Sequence, residues 1–200
     1  MSRFPRVGAL AFCALLSTAC DVHIVGDSTA ALVQVAAQSF EGIVMTGSAE
    51  PSCGYGHMAG GRIQPSGGAI TPDCVLDHLA NSPDSVDDVV VAFLSVHDAR
   101  CSVTNGCEPI NTAVYVQAHA DLLAYGNPVV WVEVPPSGDA AQQARIEDLN
   151  SSVAAALGCT LQEFDTRVAE MYDGIHYTLS GGTTVAARLA QLDAVGIACP

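Results

Sequence analysis

The chain has 200 residues, enough for one domain with a sizeable core, and no shift in composition divides it in two. Its formal charge is −14, it contains no lysine, and removal of Arg3 and Arg6 with an N-terminal leader would bring the charge to −16. So acidic a surface repels nucleic acid and anionic lipid, which excludes both as expected partners.

Residues 1–19 read as an export signal: Arg3 and Arg6 open it, Val7 to Leu16 is continuously apolar, and Ser17-Thr18-Ala19 supplies small residues for cleavage. The apolar run is shorter than the roughly 20 residues that span a bilayer. Cleavage after Ala19 would leave Cys20 first, where a lipid could be attached. Ser17, however, stands where a lipoprotein signal usually has Leu, so plain secretion is the leading expectation and a lipid anchor the alternative. Residues 20–200 are then the mature domain, at the cell surface or outside the cell, and expected to be monomeric.

Strand-length apolar runs alternate with stretches of helical periodicity from there on. The pattern predicts strands at Val22 to Gly26, Gly42 to Thr46, Asp88 to Leu94, Pro128 to Val134 and Thr160 to Phe164. Helices are predicted at Thr29 to Phe40, Pro72 to Ala80, Asn111 to Tyr125, Ala140 to Leu157 and Ser180 to Leu192. Continuous runs such as Val89-Val90-Val91-Ala92-Phe93-Leu94 suit strands buried on both faces. The expected fold class is therefore α/β, a parallel sheet with helices on both faces. Two long connections interrupt the alternation: Gly47 to Thr71, with seven glycines, and Ser95 to Pro109, with Cys101 and Cys107. Loops of this length in a compact domain are usually functional or tied by disulfides.

Beyond Cys13 and Cys20, six cysteines remain, and an even number in an exported chain implies disulfides. Local spacing favours Cys53 with Cys74, Cys101 with Cys107 and Cys159 with Cys199. No Cys-x-x-Cys pair is present and no His lies at ligand spacing from a Cys pair, so no structural zinc is expected.

In an open α/β sheet, ligands bind beyond the carboxyl ends of the strands. That rim would collect Asp27 and Ser28 after the first strand, Gly47 to His57 after the second, Ser95 to Asp98 after the third, and Asp173 and His176 before the last helix. A serine hydroxyl becomes a useful nucleophile when an imidazole removes its proton, and the imidazole needs a carboxylate to fix its tautomer. Ser28, His176 and Asp173 supply these three groups. Ser28 also opens a predicted helix, where main-chain N–H groups favour developing negative charge. The plainer account of Gly26-Asp27-Ser28 is turn-and-cap chemistry. Its pairing with Asp173-Gly174-Ile175-His176 favours the nucleophile. Trp131, His23, His78 and His119 read as structural residues.

Gly26-Asp27-Ser28-Thr29 and Asp173-Gly174-Ile175-His176 resemble the first and last conserved blocks of the SGNH hydrolases, also called the GDSL family. The resemblance runs from about Val22 to Leu192. It implies a three-layer α/β/α sandwich with a flavodoxin-like parallel sheet of about five strands. It also implies Ser28 as nucleophile, His176 as general base and Asp173 as its orienting carboxylate, with no metal or organic cofactor. In the third block Ser95 stands for the family's Gly and His97 for its Asn, while Asp98 is retained. The run Pro51-Ser52-Cys53-Gly54-Tyr55-Gly56 resembles the second block of SGNH domains attached to bacterial membrane acyltransferases. For the second block Gly47 and Gly54 are both candidates, with Gly54 favoured; Gly54 and His97 are then the implied oxyanion donors, with Asp98 beside them.

These readings converge on an exported serine esterase acting on a small-molecule or carbohydrate acyl ester, for instance an O-acetyl group. The alternatives are an acyltransferase and a non-catalytic carbohydrate-binding protein on the same scaffold. Two further rivals are weaker. An α/β-hydrolase would place several strands before its nucleophile, whereas one precedes Ser28. A metal-dependent hydrolase would have to be built on His57, His97 and Asp98.

Overall fold

The computed structural model describes residues 22–38, 45–49, 89–99, 109–164, 171, 176–191 and 197–200. Among the described residues, four parallel strands form the sheet: β1 (Val22–Gly26), β2 (Met45–Ala49), β3 (Val89–Phe93) and β4 (Val129–Val132), in the order β2-β1-β3-β4. Four described helices flank it: α1 (Ser28–Ala37), α2 (Thr112–Ala124), α3 (Ala140–Leu157) and α4 (Leu179–Leu189). A 3-10 turn, Val96–Ala99, follows β3. The predicted helix at Pro72 to Ala80 lies outside the described residues. Among the described residues no helix is long and apolar enough to cross a membrane.

The period-2 alternation of the strands divides their side chains between two cores. Val25, Val90, Ala92, Val129 and Trp131 pack with Tyr115 and Leu122 of α2 and with Ile146, Leu149 and Val153 of α3. Val22, Ile24, Val91, Phe93, Val130 and Val132 pack on the opposite face with Val33 of α1 and with Val185 and Leu189 of α4. All residues of β1, β3 and β4 are buried, because both faces of the sheet are covered. The three-layer sandwich follows from that covering.

Two expectations about strand extent change. The second strand is described over Met45–Ala49 and so continues past the expected end at Thr46, in a register that matches Val22 to Met45 and Gly26 to Ala49; residues 42–44 of the expected strand lie outside the described residues. The expected strand at Thr160 to Phe164 contracts to one parallel bridge, Val132 to Gln162. Two bonds make it: Gln162 N–H donates to the Trp131 carbonyl (2.7 Å) and Glu133 N–H to the Gln162 carbonyl (3.0 Å). The same edge of β4, the one away from β3, is also reached by the C-terminal segment, whose Cys199 N–H donates to the Val129 carbonyl (2.9 Å). Cys199 is joined to Cys159 by the expected disulfide, with Cα atoms 5.3 Å apart. The other two expected pairs lie outside the described residues.

Local sequence explains the helix ends. Asp139 caps α3, its carboxylate accepting from Gln142 N–H at 2.8 Å, and Gly158 closes it in the left-handed conformation (φ 67°). Small residues bring α1 and α4 together. A Cβ on Gly182 would lie 3.1 Å from both the Ala36 Cβ and the Leu32 carbonyl oxygen, so the helices meet where no larger residue fits. That close packing sets the N-terminus of α1 beside the N-terminus of α4.

Candidate active site

The strand order reverses at β1: β2 lies to one side and β3 to the other. In doubly wound sheets the crevice at such a switch point, beyond the carboxyl strand ends, is where ligands bind. Ser28 is the first residue of α1, immediately beyond β1, and Ser95 to Asp98 follow β3 at the same edge. His176 comes two residues before Thr178, the N-cap of α4, whose hydroxyl accepts from Gly181 N–H at 3.1 Å.

The two helix starts place Ser28 Oγ 2.8 Å from His176 Nε2, with both residues half-buried and 148 positions apart in sequence. For the serine hydroxyl to donate to Nε2, the imidazole proton must sit on Nδ1, which then needs an acceptor. The resemblance assigns that acceptor to Asp173, which lies outside the described residues, as does Gly54.

Asp27 is fully buried next to Ser28 and accepts three hydrogen bonds. One carboxylate oxygen receives Thr29 N–H at 2.9 Å; the other receives the Ser95 hydroxyl at 2.9 Å and Val96 N–H at 3.1 Å. Burial pushes its carboxyl above the ordinary value, and these donors pull the other way. Tyr177, buried next to His176 in sequence, has its phenol pushed up by burial and by the Asp27 charge. The turn that carries Ser28 and the turn after β3 are thus tied through one carboxylate. Asp27 is a structural hydrogen-bonding residue beneath the site, as the resemblance implies by leaving it outside the proton relay, and it also caps α1.

His97 and Asp98 both lie on the 3-10 turn, half-buried. His97 N–H donates to the Ser95 hydroxyl oxygen at 3.2 Å. The Asp98 carboxylate accepts from the Tyr115 hydroxyl of α2, which anchors the turn to the helix layer. Helix geometry leaves Ser28 N–H without an intrahelical acceptor, so it points outward at the start of α1, where charge would develop on an attacked carbonyl.

A cavity of about 230 Å³ opens beyond β4, its walls including Glu133, Pro135, Gln143, Glu147, Glu163 and Tyr177. Its amides are held internally. Gln143 accepts from Ser137 N–H (2.8 Å) and donates to Glu147 (2.8 Å), while Asn150 accepts from Val134 N–H (3.1 Å) and donates to the Val134 carbonyl (3.2 Å). Glu133, Glu147 and Glu163 add three carboxyl groups to its lining. Burial, then the neighbouring Glu163 charge, pushes the Glu133 carboxyl above its ordinary value. Among the described residues, no group of three or more His, Cys, Asp or Glu side chains is arranged to hold a metal ion.

Solved structures share this architecture over most of the chain. A protein described as an SGNH hydrolase from Slackia heliotrinireducens superposes with a TM-score of 0.54 at 16% identity, covering 86% of this chain and 98% of its own. The fold is that of the SGNH hydrolases. A GDSL-like lipase from Bacteroides thetaiotaomicron VPI-5482 matches with a TM-score of 0.55 at 13% identity, over 96% of this chain and 98% of its own. A carbohydrate esterase of family 3 from Talaromyces cellulolyticus matches with the same TM-score and identity, over 86% of this chain and 95% of its own. At these identities the likeness is one of fold, and function has to be argued from the site. No family model matches the chain, and no curated protein matches it in sequence. Residues 51–56, which carry the resemblance to acyltransferase-attached SGNH domains, lie outside the described residues.

Proposed function

We propose that the protein is an exported serine esterase on the SGNH fold. Ser28 attacks the acyl carbon of an ester while His176 takes its proton, and Asp173 orients the imidazole. The alcohol leaves with a proton returned by His176. Water, activated by the same imidazole, then releases the acyl group from Ser28. The observation that carries this reading is the 2.8 Å contact between Ser28 Oγ and His176 Nε2, because elements at opposite ends of the chain converge to make it. Transfer of the acyl group to a sugar hydroxyl in place of water is the near relative of this reaction.

A fluorophosphonate probe tests it. The wild type is expected to label stoichiometrically and Ser28→Ala not at all, with turnover of 4-nitrophenyl acetate and acetylated sugars falling by at least about 10³ in that variant. A folded wild type that neither labels nor turns over any ester would instead favour a binding protein on this scaffold. The presence of Ser95 and His97, where the family has Gly and Asn, motivates that second reading.

A further inference from the structure

Ser95 occupies a position where a hydroxyl has no freedom to be idle. It is fully buried at the end of β3, and its Oγ is used twice: it donates to Asp27 at 2.9 Å and accepts from His97 N–H at 3.2 Å. The same Asp27 oxygen takes Val96 N–H, and the other takes Thr29 N–H, one residue beyond the nucleophile. Three consecutive residues of the β3 turn are thereby referred to one buried carboxylate that also fixes the start of α1. The Ser95 carbonyl closes the turn by accepting from Asp98 N–H at 3.1 Å.

We propose that Ser95 is a positioning residue of the candidate esterase: its hydroxyl relays the anchorage of Asp27 to the main chain of His97 and so sets where His97 stands relative to Ser28. The inference rests on the esterase reading for its chemistry and on the hydrogen bonds alone for its geometry. A glycine here would leave the turn without the relay. The serine therefore adds a brace, and the change from Gly to Ser and from Asn to His belongs to one altered arrangement. Buried chains of hydrogen bonds hold their members more tightly than isolated ones, because each donor polarises the next. Removing the central hydroxyl takes one partner from the buried Asp27 carboxylate and the acceptor from His97 N–H.

The test is Ser95→Ala, with Ser95→Gly as a second variant, in the wild-type background and with His97→Ala. Misplacing a group that meets the transition state lowers kcat more than it raises KM. The expected result is a loss in kcat of about tenfold or more with KM within about twofold, and almost no further loss when His97 is already Ala. Amide hydrogen exchange across residues 95–99 should accelerate by at least about tenfold in both variants while the global melting temperature falls by only a few degrees. Equal kcat losses in the two backgrounds would overturn the proposal, because Ser95 would then not act through His97. Unchanged exchange at 95–99 would overturn it as well. An inactive, unlabelled wild type would remove the esterase reading separately, and the exchange arm would still decide the brace by itself.

Discussion

Gly26 ends β1 with φ of +154°, and a Cβ built there would lie 2.8 Å from the Ala30 Cβ, 2.9 Å from the Phe93 Cβ and 3.3 Å from the Phe93 carbonyl oxygen. Carbon atoms in contact settle about 3.5–4.0 Å apart, so Gly26→Ala forces β1 away from α1 and β3 at once. The backbone conformation costs a side-chain-bearing residue about 1–3 kcal/mol, and overpacking a closed core costs about as much again. The combined loss, about 2–6 kcal/mol, is a large share of a total stability of roughly 5–15 kcal/mol. For a domain of this size each kcal/mol moves the melting temperature by about 2–4 °C, so a fall of about 5–20 °C is expected in thermal unfolding followed by far-ultraviolet circular dichroism. Two glycines calibrate the reasoning. Gly158 has φ of +67° in open space, so Gly158→Ala should cost only the conformational part, about 1 kcal/mol; Gly138 meets nothing within 4 Å, so Gly138→Ala should be nearly neutral. A Gly26→Ala protein that melts within 2 °C of wild type, or no lower than Gly158→Ala, would refute the packing argument.

Three other outcomes are expected. The Cys159–Cys199 bond closes a 40-residue separation, so replacing both with Ser should destabilise the fold by about 2–4 kcal/mol in urea titration, with no change if the loop were already held by other contacts. Glu133 is raised above its ordinary value by burial and by Glu163, so its favourable contribution is complete below about pH 4 and is lost as pH rises through the folded-state value. Glu133→Gln should accordingly raise the melting temperature by about 1–2 °C at pH 7 and leave it unchanged at pH 4; an equal gain at both would show that charge is not the cause. His119 accepts from the Trp131 indole N–H at Nδ1 (3.2 Å), so its Nε2 carries the proton given to the Pro200 carbonyl (3.1 Å). His119→Phe leaves a buried indole donor unsatisfied and should cost about 1–3 kcal/mol by chemical denaturation, whereas His119→Gln, which offers an acceptor, should recover part of that.

Local chemistry made much of this fold legible. The runs at Val22–Gly26, Val89–Phe93 and Val129–Val132 announce buried strands because they are short, rich in valine and free of charged residues, and Asp139 and Gly158 bracket α3 by capping rules that act within a few residues. The turn Gly26-Asp27-Ser28 could likewise be read as a serine delivered to a helix start. What tertiary structure decided was non-local. The continuation of β2 past Thr46 follows from its register against β1, and the last expected strand contracts to a single bridge beside Trp131. Neither can be seen in either segment alone, since strand pairing depends on the partner's length and neighbours. The Asp27 carboxylate has a structural role legible from its place before the helix, but its partners Ser95 and Val96 come from a different strand end. Ser28 and His176 meet only because Gly181, Gly182 and the alanines of α1 allow two helices to approach closely. Residue type and spacing along the chain determined which groups could do chemistry; packing across the sheet and between helices determined which of them stand within reach of one another, because a contact of a few ångströms between distant segments is set by the shapes that separate them.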